Sequence, residues 1–296
     1  MIRRPPRSTQ SRSSAASDVY KRQDLGRSAG INRGILEAYR RGIVTSTSVM
    51  INYPDAAAGL EEVRRTAPDL GVGLHLNLTS GVPVSPPARV SSMVDEQGRF
   101  FGPERIAPVY LRFNADEIQL ELSAQVERFI TLTGHPPDHL DSHHHMAFLH
   151  PDALRVTVDL ARKYAIPLRK PHPSASMEQA VEMLQAMLPG FPPDLALDKA
   201  NELVAILSEA PLPRWPDYLE TRFYDENAIL GELLLILVNL PEGVTELMCH
   251  PGYAEGLSSP YAAQRERELE VLTHSSVREV IVSRNIRLVS FKELAG

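Results

Sequence analysis

The chain has 296 residues, 43% hydrophobic and 23% charged, an ordinary globular mix that excludes a disordered or collagen-like polymer. At roughly 150 residues per domain the length suggests two domains, but a single α/β barrel reaches about 250 residues, so one core suffices. The single cysteine, Cys249, excludes an internal disulfide framework and a cysteine-rich zinc module, and fits a reducing, cytoplasmic setting. The net charge of −6 hides an asymmetry: residues 1–23 carry six basic side chains against Asp18, so removing that +5 leaves the remaining body at −11. An acidic body offers a polyanionic nucleic acid no electrostatic attraction.

Residues 1–17, MIRRPPRSTQSRSSAAS, show neither a helical nor a strand period, and no stable element is expected there. They lack the apolar core of a secretory signal; an Arg-rich, Ser-rich transit peptide is a closer match in composition. The string resembles translated sequencing-adapter read-through, a reading preferred to a solvated basic tail. The expected organisation is a leader over residues 1–23 and one folded domain over 24–296, with residues 18–23 able to enter a vacant first strand.

From Ser28 onward strand-like runs alternate with amphipathic ones. The patterns give a helix at Ile31–Arg41, a strand at Val44–Asn52, a helix at Ala56–Arg65, a strand at Gly71–Thr79 and a helix at Ala115–Thr133. They continue with a strand at His139–Ser142, a helix at Asp152–Tyr164 and a strand at Ile166–Arg169. Helices follow at Met177–Leu188, Leu197–Glu209 and Asn227–Leu240, with strands at Thr245–Cys249 and Ile286–Ser290. Six to seven β/α pairs predict an α/β fold, a distorted (β/α) barrel incomplete at strand one, rather than an open sheet with a G-x-G-x-x-G turn. The segment 81–108, with five prolines, reads as a long binding loop. The longest apolar run, Ile229–Leu240, has twelve residues and contains Glu232, too short to span a bilayer, which needs about 20.

Six of the ten histidines fall between positions 135 and 150, in HPPDHLDSHHHMAFLH. The stretch starts as a strand and ends where Pro151 opens a helix, and strand C-termini are where barrel enzymes place their sites. A solvated histidine tract is the bland alternative. Imidazole is the commonest metal ligand, and Asp141 nearby can bind a metal or orient a histidine by accepting its second N–H. His75 lies in the apolar strand GVGLHL, where a satisfied core histidine is the ordinary reading; Asp24 opens the first loop and helix, where it could serve the helix N-terminus. His250 follows the strand TELMC. Arg169 ends IPLR and is read equally as a counter-charge in a cleft or a surface ion pair. Asp24, His75, His143 and His250 thus stand at four strand ends, and one carboxylate with two imidazoles suits a divalent metal that activates water. No P-loop, G-x-S-x-G elbow or H-E-x-x-H helix competes.

Four motifs in order, DLGRSAGINRGILEAYRRGIVTSTSVM, VGLHLNLTSGVPV, HLDSHHHMAFLHP and ELMCHPGY, resemble the YdjC-like (ChbG) carbohydrate deacetylase family from Asp24 to the C-terminus. The resemblance implies a distorted (β/α) barrel related to polysaccharide deacetylases. It also implies hydrolysis of N-acetyl groups from chitooligosaccharides or related acetylated amino sugars with a divalent metal, Mg2+ first and Zn2+ as the alternative. Carried over by motif, Asp24, His75 and His143 hold the metal, and His250 donates a proton to the leaving amine. Asp24 and Arg169 join His250 as catalytic residues, while His145 and Tyr253 bind substrate. The family opens on Asn-Ala-Asp-Asp-Phe-Gly; here Gln23 stands in place of the first aspartate, the general base, and Ala147 replaces a histidine found in some members.

The implied partner is a small carbohydrate, without nucleic acid or membrane and with homo-oligomerisation left open. Two other functions compete: a metal-dependent barrel hydrolase of phosphoesters or cyclic amides, and a catalytically silent metal- or sugar-binding protein, motivated by Gln23.

Overall fold

The computed structural model describes residues 17–171, 177–209, 211–257 and 261–294, and of residues 17–23 the backbone alone. The expectation for residues 1–16 lies outside the described residues. Strand β1, Ser17–Leu25, begins seven residues before Asp24, so the backbone of 17–23 is part of the sheet.

The sheet consists of β1 with β2 (Ser46–Val49), β3 (Gly71–Leu76), β4 (Leu140–Ser142), β5 (Tyr218–Glu220), β6 (Val244–Cys249) and β7 (Arg287–Val289). Its order is β4-β3-β2-β1-β6-β5, with β7 also on β1, and every named pairing is parallel. Residues of β2, β3 and β4 are buried throughout, as a parallel sheet covered on both faces requires. β1 is central: Ser17–Arg22 pair with Val244–Cys249 of β6, Lys21–Leu25 with β2, and Ser17–Val19 with β7.

The edges approach each other through Ile166–Arg169, predicted as a strand and present as a single bridge, Leu140 to Leu168. The Arg169 amide donates to Leu140 O at 2.8 Å and the Leu168 amide to Arg214 O at 2.9 Å. With the Leu140 amide donating to Pro167 O at 3.0 Å, three backbone hydrogen bonds link the β4 edge through 166–169 to the chain leading into β5, giving a distorted, incompletely zipped (β/α) barrel.

The helices are α1 (Ala29–Arg41), α2 (Ala56–Thr66), α3 (Pro103–Ile106), α4 (Ala115–Thr133), α5 (Met146–Leu149), α6 (Pro151–Tyr164), α7 (Met177–Met187), α8 (Pro193–Leu207), α9 (Leu230–Val238), α10 (Ala262–Leu272) and α11 (Ser275–Ser283). Their starts follow local chemistry. Ser28 caps α1 by accepting the Ile31 amide at 3.2 Å, and Asn114 caps α4 through the amides of Asp116 and Glu117. α4 stops at Gly134, whose φ of 81° is the left-handed cap glycine adopts without strain. α3, α5, α10, α11 and strand β5 are additional to the elements predicted from sequence. Among the described residues no helix is long and apolar enough to cross a membrane.

α1 matters for the site because its glycines let the chain after β6 lie against it. A Cβ at Gly34 would meet Gly252 Cα at 2.5 Å, and one at Gly30 would meet the Glu255 carbonyl oxygen at 2.6 Å. Only hydrogen at both positions allows His250-Pro-Gly-Tyr to pack there.

Candidate active site

Asp24, His75 and His143 come from β1, β3 and the turn after β4, and each offers one donor atom within 4.8 Å of the others. Asp24 Oδ1 lies 3.7 Å from His143 Nδ1 and 3.9 Å from His75 Nε2; the two ring nitrogens are 3.2 Å apart. All three side chains are buried. Asp24 adopts φ 77°, and His144 and His145 follow β4 at φ 48° and 56°. Left-handed backbone at three non-glycine residues is strain concentrated where the strands end.

The cluster is braced from behind. His75 Nδ1 sits 2.8 Å from Asp141 Oδ2, which also accepts Ser48 Oγ at 3.1 Å and lies 3.5 Å from Arg169 Nη1. Arg169 in turn donates through Nε and Nη2 to Glu246 Oε1 at 2.8 and 2.5 Å. Asp141, Arg169 and Glu246 are completely buried. Asp141 thus faces the His75 ring nitrogen that points away from Asp24, the position that the second of its two roles from sequence requires. Arg169 is not a surface ion pair: it is completely buried behind the site, with Asp141 and Glu246 as its counter-charges, and it does not line the cavity.

Burial alone would raise the Asp24 carboxyl, but Arg265, with His143, Arg27 and His75, holds it well below the usual carboxylate range. Arg265 of α10 donates to Asp24 Oδ2 and to the His250 carbonyl at 3.2 Å; Arg27 stands 3.6 Å from the same carboxylate oxygen. Burial pushes the His143 imidazole well below its ordinary value, and His144 beside it adds to the effect. Its neutral form is the one a cation would bind. His144, lowered to about 4 chiefly by burial, pairs its Nδ1 with Thr79 Oγ1 at 3.0 Å.

Asp24 and His143 open into a cavity of about 850 Å³ lined also by His250, His144, His145, Tyr224, Tyr261 and the loop residues Arg99 and Glu104. The His250 amide donates to Glu268 of α10, and its ring Nδ1 lies 3.8 Å from Glu268 Oε1. Glu268 also accepts the Tyr261 hydroxyl at 2.5 Å. The 81–108 loop walls the cavity because Glu121, buried on α4, accepts the amides of Val84 and Ser85 at 2.9 and 2.8 Å, while Gln125 binds both backbone groups of Asn77.

The structure thus brings Asp24, His75, His143, His145 and His250 to one place. Tyr253 is elsewhere: its hydroxyl donates to Glu37 and its ring lines a separate hollow with Arg33 and Arg40 of α1, because the packing of residues 252–255 on α1 turns it away. Nor does the histidine density all serve the site. His139 stacks on Phe291 at 4.0 Å, His150 packs between Tyr110 and Phe113, and exposed His135 bonds Pro136 O at 2.8 Å. Arg265 and Glu268 escaped sequence reading; the available signal was two charges three residues apart on the stripe of α10 that also carries Leu269 and Leu272.

Fold and site together define a (β/α)-barrel protein with a buried Asp-His-His cluster beside a large cavity of mixed lining. The chain belongs to the YdjC-like protein family, whose model matches residues 23–283. It is 34% identical over 281 residues to a carbohydrate deacetylase of Thermoanaerobacter pseudethanolicus strain ATCC 33223 / 39E, covering 93% of this chain and 98% of that protein. With a chitooligosaccharide deacetylase of Proteus mirabilis strain HI4320 it shares 32% identity over 282 residues, again 93% and 98% of the two chains. A crystal structure from Enterococcus faecalis V583, described as a proposed cellobiose-phosphate cleavage protein, superposes with a TM-score of 0.77 at 32% identity, covering 95% of this chain and all of that one.

Proposed function

We propose that the chain is a divalent-metal-dependent deacetylase that hydrolyses the N-acetyl group of amino sugars of the chitooligosaccharide class. The observation that carries this reading is the convergence of Asp24, His75 and His143, of which Asp24 and His143 line one large cavity with His250; the names of its full-length relatives support the substrate class. The donor set fits a metal. Two ligands 2.0–2.1 Å from a tetrahedral ion lie about 3.4 Å apart, against separations of 3.2, 3.7 and 3.9 Å here. Asp24 Oδ1 is buried without a hydrogen-bond partner among the described residues, a costly state for a carboxylate oxygen unless a cation satisfies it. Two imidazoles to one carboxylate suit zinc better than magnesium, which prefers oxygen donors; the family resemblance points to magnesium, and a metal titration separates them.

The bound ion would polarise the acetamide carbonyl and ease deprotonation of a water. The chain's own residues supply the rest. Arg265 and Arg27 keep Asp24 ionised, and Asp141 fixes the His75 ring so that Nε2 faces Asp24. His250, with Glu268 3.8 Å from Nδ1, would give the departing nitrogen the proton it needs, since an amine anion leaves poorly. Gln23 precedes Asp24, and its amide takes up no proton at neutral pH, so slow turnover is the expected result for this sequence.

The test is product analysis with chitobiose, chitotriose, a phosphomonoester panel and cyclic amides. Acetate released from the acetylated sugars alone supports the reading. Phosphate or ring-opened product without acetate would move the chain to another hydrolase class.

A further inference from the structure

Tyr224 and Tyr261 stack at 4.7 Å between ring centroids with 9° between their planes, and both line the cavity that holds Asp24 and His143. His250 meets each edge-on, at 5.5 Å from Tyr224 and 5.8 Å from Tyr261. The inner ring is fixed: the Tyr261 hydroxyl donates to Glu268 Oε1 at 2.5 Å and accepts the Asp225 amide at 2.8 Å. The outer ring is 44% exposed. One face of Tyr224 is taken by Tyr261, so its exposed surface is the opposite face and the rim. The rest of the lining is mostly polar or charged residues interspersed with Phe100, Met187 and Met248; the tyrosine pair is the stacked aromatic surface that stands beside His250.

We propose that the Tyr224–Tyr261 stack is a subsite for a pyranose ring, resting on the reading of the site as an amino-sugar deacetylase. A pyranose with equatorial substituents is polar around its rim and apolar on its C–H faces. Those C–H groups carry slight positive charge, and the face of an aromatic ring is negative, so the two surfaces attract as well as exclude water. The other groups of the sugar would meet the polar wall, the combination of an apolar platform with a few polar contacts that orients small ligands. Because Tyr261 is already held by two hydrogen bonds and Tyr224 lies flat on it, the platform is ordered before the sugar arrives and little entropy is lost on binding. Its place beside His250 makes it the surface that fixes how an oligosaccharide lies when its acetamide reaches the triad.

The test is titration of the full chain with chitotriose, with chelator present so that binding is read without turnover, followed by kinetics with metal. Tyr224→Phe keeps the ring, and the hydroxyl it removes has no hydrogen-bond partner among the described residues; it should bind within twofold of the parent. Tyr224→Ala should weaken binding about tenfold, equivalent to about 1.4 kcal/mol, and raise KM more than it lowers kcat, with its melting temperature unchanged because the ring is half exposed. An alanine variant that binds like the parent overturns the platform alone and leaves the deacetylase reading standing. Unchanged binding with a fall in kcat also overturns it, since Tyr224 would then act by positioning His250. A parent chain that fails to bind chitotriose overturns both.

Discussion

Arg265→Met should destabilise the chain by leaving Asp24 buried beside Arg27 alone. Asp24 and Arg265 are 2% and 3% exposed, so solvent screens their interaction little. Removing one partner of a buried ion pair costs about 3–5 kcal/mol. Arg27 remains 3.6 Å away on a side chain 20% exposed, which places the loss near the lower bound, about 3 kcal/mol at pH 7. At 2–4 °C per kcal/mol for chains of this size, the midpoint falls by roughly 6–12 °C. The pH dependence has a definite sign. In the parent the Asp24 pKa is depressed by Arg265 and, more weakly, by His143, Arg27 and His75; its contribution is complete above the unfolded value of about 3.9 and fades as pH falls through the lower folded value. In the variant burial dominates and raises the folded pKa, so the penalty exists at neutral pH and shrinks on acidification. Urea unfolding of parent and variant in chelator at pH 7, 5 and 4 reads both effects. A loss under about 1 kcal/mol at pH 7, or a gap that widens toward pH 4, would refute the account of Asp24 as a carboxylate kept charged by Arg265.

Asp141→Asn should weaken metal binding about 10–100-fold, the usual cost of losing the carboxylate behind a ligating histidine, measured by titration of metal-free protein with Zn2+ or Mg2+; equal affinity would show that His75 needs no such support. Glu121→Ala should free residues 81–108 by stranding the amides of Val84 and Ser85, at about 1–3 kcal/mol each, and limited proteolysis should then cut within that segment before the rest; uniform cleavage would contradict its anchoring role. Gln23→Asp should raise acetate release by up to about 10²–10⁴-fold, the range for a positioned base; no gain would remove position 23 from the mechanism.

Strand ends carried most of what could be read in advance. His75 and His250 were legible because each lies in or just after an apolar strand-like run, His143 because it stands in the histidine-dense stretch and Asp24 because of the motif it opens; parallel topology gathers such strand ends at one end. Helix α4 was legible to the residue, since Asn114 and Gly134 punctuate a long amphipathic segment. What escaped reading was assembled through space. In AAQRERELEVL nothing marks Arg265 and Glu268 apart from the solvated charges around them, and their role appears only when α10 crosses the mouth of β1 and β6. Arg169 looked like a strand-end charge; its burial follows from Glu246 and Asp141 approaching from neighbouring strands. Tyr253 sat in the right motif, but the glycines of α1 draw the backbone after His250 against that helix and carry the ring away. Ile166–Arg169 had strand composition yet makes a single bridge, because pairing depends on edge geometry that periodicity does not encode.

The most direct measurement is acetate release from chitobiose by the Gln23→Asp chain, first in chelator and then after one equivalent of Zn2+ or Mg2+, beside the same chain carrying His143→Ala. Release that is absent in chelator, returns with metal and stays absent in the His143→Ala chain is the predicted result. Release that persists in chelator, or survives loss of His143, would contradict a metal centre at Asp24, His75 and His143.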